Sequence, residues 1–93
     1  MKHEINTKFE AGDTVYHYYE TVTGDNPPSD IVPHIIEDKV KRVEVHFTKD
    51  HIEIWYITEL MFTLRENKAF FNEDEALRYF NEVDLPNWQS ILN

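Results

Sequence analysis

From Val40 to Leu60 the chain reads VKRVEVHFTKDHIEIWYITEL, with apolar residues at every second position: Val43, Val45 and Phe47, then Ile52, Ile54 and Tyr56. A period of two marks an extended strand with one side turned to a core. The alternation pauses at Lys49-Asp50. If those two residues make a hairpin turn, Phe47 stands opposite Ile52, Val45 opposite Ile54 and Val43 opposite Tyr56, all on one side. The register that closes the turn therefore also collects the apolar face. Lys-Asp is a weaker turn pair than Asn-Gly, so a wider loop around Asp50 is the alternative.

That register leaves Glu44, His46, Glu53 and Trp55 on the opposite side of the hairpin. His46 faces Glu53, and His51 lies diagonal to His46. Two imidazoles and a carboxylate make His46, His51 and Glu53 candidate ligands for zinc or another divalent ion. Their spacing matches no specific metal signature, and a solvated polar face is the simpler account. Trp55 among acids is a candidate anchor for a basic or aromatic residue of a partner. Burial against Tyr16 or Tyr18 is the alternative.

Elsewhere, Gly12-Asp13 signals a turn before a β-branched and aromatic run, Thr14 to Thr23, which reads as a strand with rings on both sides. The 24–30 stretch, with Pro27-Pro28, is the plainest loop. The apolar segment from Ile31 to Ile36 follows, limited by Pro33 to an edge or an irregular strand. A strand is expected over 60–64 and a turn over 65–68. A helix is expected from Asn72 as N-cap, with Glu75 placed to complete a capping box and Glu73, Asp74 and Glu75 at the positive end of its dipole. Asp74 and Arg78 have pairing distance in sequence, and Ala76, Leu77, Phe80 and Val83 form its apolar stripe. Asp84-Leu85-Pro86 ends it, so the helix spans about 73–83, and one further turn carries Trp88, Ile91 and Leu92. The expected whole is a single α+β domain over 1–93: a polar lead-in (1–8), a β-rich part (9–71) and a C-terminal helix and tail (72–93).

The order F…GDTVY, alternating strands, then FFNEDEALRYF resembles a group of small bacterial and phage proteins of unassigned function. Phe9, Gly12, Asp13, Val15 and Tyr16 match its first part, and Phe71, Glu75 and Ala76 its second. The resemblance implies a small SH3-like β-barrel, or a strongly bent antiparallel sheet, closed by an acidic helix. It covers most of residues 9 to 83 and implies no catalytic residue; the Pro-containing loop is an addition to the pattern.

Charge narrows the partners. Eighteen acids against nine bases give −9, with eight acids and two bases in residues 1–38, five and six in 39–68, and five and one in 69–93. Such a surface repels phosphate backbones and anionic membranes. It suits a basic or nucleic-acid-binding protein partner, and a narrower reading is an inhibitor whose carboxylates imitate nucleic-acid phosphates. Glu44, Trp55, Glu73, Asp74, Glu75 and Trp88 are the expected contact residues. A homodimer through a strand edge or the Trp88 tail is the other interaction open to the chain. With no cysteine, thiolate chemistry is excluded. No Ser/His/Asp order, phosphate loop or Walker sequence is present, so neither catalysis nor a cofactor is expected. MKHEINTKFE lacks the apolar run of a signal peptide and no stretch reaches the length of a membrane span, which points to the cytoplasm.

Overall fold

The computed structural model describes residues 5–24 and 30–92. Four antiparallel strands, β1 (Thr14–Thr23), β2 (Asp30–Phe47), β3 (Ile52–Thr58) and β4 (Thr63–Arg65), lie in the spatial order β1-β2-β3-β4. A single 3-10 turn, Glu66–Lys68, leads to helix α1 (Glu73–Tyr79), a π-helical turn (Phe80–Asp84) and helix α2 (Leu85–Leu92). The α+β class holds. Among the described residues no helix is long and apolar enough to cross a membrane.

β2 organises the sheet. Its first half pairs with β1, from Thr23↔Asp30 to Thr14↔Lys39, and its second half pairs with β3, with the register shifting between Val40 and Arg42. The short separate segment expected around 31–36 is thus the start of one 18-residue strand. Pro33 does not break it. It pairs with Glu20 of β1, and among the described residues the other edge of β2 faces no strand before Val40, so the missing N–H removes no ladder bond on that edge. Of the loop expected over 24–30, Asp30 is the first residue of β2, and residues 25–29, including Pro27-Pro28, fall outside the described residues.

The β2–β3 hairpin has the register that the alternation predicts: Phe47↔Ile52, His46↔Glu53, Val45↔Ile54, Glu44↔Trp55 and Val43↔Tyr56. Thr48 closes the turn around Lys49-Asp50. Its N–H donates to the His51 carbonyl at 2.9 Å, and its hydroxyl accepts from the His51 N–H at 3.0 Å. The threonine supplies a local fastening that Lys-Asp lacks. The inward packing of this face holds for only part of its length. Tyr56 is buried, and Val43 and Ile54 pack on the core, but Phe47 is 70% and Ile52 46% exposed. The core, formed by Phe9, Val15, Val40, Tyr56, Leu64 and Ala69, ends before the hairpin tip.

The expected SH3-like closure is not formed: the sheet is open. In place of a closing strand there is one antiparallel bridge, with the Tyr16 N–H on the Phe70 carbonyl at 2.8 Å and the Phe70 N–H on the Tyr16 carbonyl at 2.9 Å. The strand expected over 60–64 is also displaced. Residues 59–62 form a tight turn with Met61 at φ 72°, and β4 occupies only Thr63–Arg65. At the end of the polar lead-in, Lys8 is tied into the fold. The Lys8 ammonium donates to the Ala69 carbonyl at 2.8 Å and to Glu75 at 3.1 Å, while the Lys8 and Phe9 N–H groups both donate to the Tyr56 hydroxyl.

The helix starts as expected, with Asn72 Oδ1 accepting from the Glu75 N–H at 2.8 Å. The capping box stays half made, because the Glu75 carboxylate turns to Lys8 instead of back to Asn72. Asp74 and Arg78 form no ion pair, both being exposed. The helix does not end at Val83. A π-helical turn, in which the Leu85 N–H reaches the Phe80 carbonyl, carries the chain past Pro86 into α2. Pro86 is tolerated there because the widened turn relieves its clash with the preceding turn and it sits in the first turn of α2. Ala76 and Phe80 are buried, Val83 is exposed, and Asp84 bonds Tyr18 and Lys68. Tyr18, on the outer side of β1, is covered by Phe70 and Phe80. Most of the rings of β1 are therefore packing surface, with Tyr19 the exposed exception, stacked on His34.

Candidate functional site

Alternate residues of one strand share a face and lie close enough for long polar side chains to meet. The polar face of the hairpin is organised this way, along strands more than across them. Within β2, Glu44 accepts from Arg42 Nε at 2.7 Å and sits 3.1 Å from His46 Nε2. Across the turn, Glu53 sits 3.1 Å from His51 Nε2 and accepts from Trp55 Nε1 at 3.3 Å. These bonds, from Arg42 first and His46 second, lower the Glu44 carboxyl below its ordinary value; those from His51 and then Trp55 do the same for Glu53.

His46 and Glu53 are register partners, yet each imidazole takes the carboxylate of its own neighbourhood. The three candidate metal ligands His46, His51 and Glu53 therefore do not converge, and no group of three His, Asp or Glu among the described residues could hold a metal ion. Trp55 is neither core nor free anchor. It is half-buried on the polar face, with the His46 ring edge-on at 6.4 Å and the Arg65 guanidinium 4.8 Å over its ring. Beside it runs an open groove of about 300 Å³ walled by Ile52, Ile54, Trp55 and Arg65.

The other expected contact residues lie elsewhere. Glu73 and Asp74 stand exposed at the start of α1, Glu75 is tied to Lys8, and Trp88 is half-buried on α2. None of them bonds or stacks with Glu44 or Trp55. The six residues expected as one surface thus divide between the hairpin and the helical end of the chain.

One site escaped sequence reasoning. His17 and Asp38 are buried, and His17 Nε2 lies 3.0 Å from Asp38 Oδ2. Asp38 also bonds the buried Thr58 hydroxyl, and its Oδ1 accepts from the N–H groups of Lys39 at 2.8 Å and Leu60 at 3.3 Å. Burial works to raise this carboxyl. The bonds from Thr58, His17, Lys39 and Leu60 together outweigh it, and the pKa falls below the ordinary value. A nucleophilic relay needs the imidazole between hydroxyl and carboxylate. Here the carboxylate is in the middle, an arrangement that fastens β1, β2 and the end of β3 together. The one sequence signal was parity, since His17 shares its side of β1 with Val15. Asp38 is 21 residues away and carries no local mark of burial.

Comparison with protein-family models, curated proteins and solved structures finds no match to this chain. The functional reading accordingly rests on the residues themselves.

Proposed function

We propose that the protein is a protein-binding module whose contact area is the outer part of the β2–β3 hairpin. The observation that carries this reading is the exposed cross-strand pair Phe47 and Ile52 at the tip. A Phe and an Ile held on a registered ladder beyond the core, 70% and 46% exposed, gain only part of their burial from folding. Each is worth roughly 1.5–3 kcal/mol once a partner covers it fully. Trp55 and Arg65, which lie on the other face of the hairpin but wall one groove with Ile52, are residue types that recur at the centres of interfaces.

Net charge and the exposed acids Glu73 and Asp74 support a narrower form, an accessory or inhibitory protein whose carboxylates take the place of nucleic-acid phosphates on a basic partner. Affinity capture with the immobilised protein, repeated with the Phe47→Ser, Ile52→Ser double variant, tests the module. The same retained protein should be lost with the variant; equal retention overturns the hairpin as contact area. A salt titration of the captured complex tests the narrower form, which requires steep weakening. A second reading, a homodimer through a strand edge, is favoured by one observation: beyond the Tyr16/Phe70 bridge, no strand among the described residues covers the outer edge of β1. Sedimentation at several concentrations would show only monomer if that reading is wrong.

A further inference from the structure

The turn at 59–62 is made of residues that a turn does not call for. Its sequence is Glu-Leu-Met-Phe, without the Gly, Asn, Asp, Ser or Pro that ordinarily makes one. Met61 has φ 72°, in the left-handed region that glycine enters freely and a long side chain enters at a cost. Its four N–H groups are nonetheless all bonded. The Glu59 N–H donates to the Lys39 carbonyl at 2.9 Å, that of Leu60 to Asp38, that of Met61 to the Thr58 carbonyl at 3.0 Å, and that of Phe62 to the Thr58 hydroxyl at 3.0 Å. The buried Asp38 is thus spent partly on holding this loop.

The side chains do not repay that order by packing. Leu60 is 56% and Met61 77% exposed, and Phe62 is only partly covered, its ring lying 4.7 Å from the His17 ring. A turn selected for ease of folding would carry glycine at Met61. One that fixes its backbone and presents its apolar side chains is built as a contact element. Leu60 also borders a groove of about 350 Å³ whose walls include Glu37 and Glu59, with Lys39 the one cation. That rim, on a chain of net −9, disfavours an acidic segment or an anionic membrane. We infer that the 59–62 turn is a second docking element, which takes a protein segment bearing an apolar side chain flanked by Lys or Arg. It stands at the opposite end of β3 from the hairpin tip, roughly 20 Å away along a seven-residue strand, and is independent of that surface.

The test is an amide-resonance titration of the isotope-labelled protein with the hexapeptide Lys-Lys-Leu-Phe-Lys-Lys and, separately, with Glu-Glu-Leu-Phe-Glu-Glu. The lysine peptide should shift residues 60–62, Glu37 and Glu59, and the glutamate peptide should shift them less. Met61→Gly should keep the fold, since glycine suits the left-handed position, and weaken the lysine peptide about fivefold or more. Met61→Asn, whose residue also tolerates that backbone, is the second variant and should behave alike. Phe47→Ser should leave the titration unchanged, which separates this site from the hairpin. No shift at the turn at millimolar peptide, equal response to both peptides, or full binding by Met61→Gly and Met61→Asn overturns the proposal. So does concentration-dependent shifting of the turn without peptide, which would assign it to a second copy of the chain.

Discussion

Two places in this molecule set an imidazole against a carboxylate at nearly the same distance. On the hairpin face His46 lies 3.1 Å from Glu44 and His51 3.1 Å from Glu53; inside, His17 lies 3.0 Å from Asp38. Their surroundings are opposite. The exposed histidines keep more than half of their side-chain surface, whereas His17 and Asp38 keep 3% and 1%. Distance alone does not give such a pair its worth. Where water can replace the partner, the pair adds little. Where it cannot, removing either group strands the other without a substitute.

That contrast is open to attack by substitution. The largest effect should come from Asp38→Ala, which leaves His17, Thr58 and two backbone N–H groups without their shared acceptor. About 3–5 kcal/mol of stability should be lost, as read by chemical denaturation. Loss no greater than that of Glu44→Ala would end the comparison. Asp38→Asn should also flatten the acid limb of the stability profile. The folded carboxyl lies below its ordinary value of 3.8, so its contribution is complete above that pH and is lost as pH falls through the lower folded value.

Tyr56→Phe comes next, at about 1–2 kcal/mol. Its hydroxyl donates to Glu66 at 2.6 Å and accepts from the N–H groups of Lys8 and Phe9. In the wild type, burial first and the Glu66 bond second push this phenol up to about 12, so alkaline ultraviolet titration should find it silent near pH 10. The smallest effect belongs to the exposed face. His46→Ala and His51→Ala should leave the melting temperature unchanged within error, and a loss comparable to that of Asp38→Ala would show that water does not screen this face.

What could be read from the sequence follows the same division between local and distant causes. The hairpin register was legible because the Lys49-Asp50 pause and the alternation agree within one short segment. The Asn72 cap was legible for the same reason. The length of β2 was not, because Pro33 reads as a breaker unless one knows which edge its nitrogen faces. The turn at 59–62 was hidden by its apolar residues, and continuity through Pro86 depended on a π-helical turn that no composition announces. Of the candidate sites, the side of the hairpin that Trp55 occupies was clear. Its cover by Arg65 was not, nor was the meeting of His17 with Asp38, since both arise from strand pairings remote in sequence.

The sharing of β2 between two hairpins bears on how the chain acquires its shape. Each major ladder joins segments that are neighbours in sequence, so both can zip from their sequence-near ends, Thr23↔Asp30 and Phe47↔Ile52, with little chain to close. Joining the two ends of the chain is a different kind of event. Phe70 must find Tyr16, and the Lys8 and Phe9 amides must find Tyr56, across 54, 48 and 47 residues. Slow folding mutants should therefore cluster in this clasp only if it belongs to the rate-limiting step; if it forms afterwards, its loss will show as faster unfolding, with the ladders forming at their usual speed.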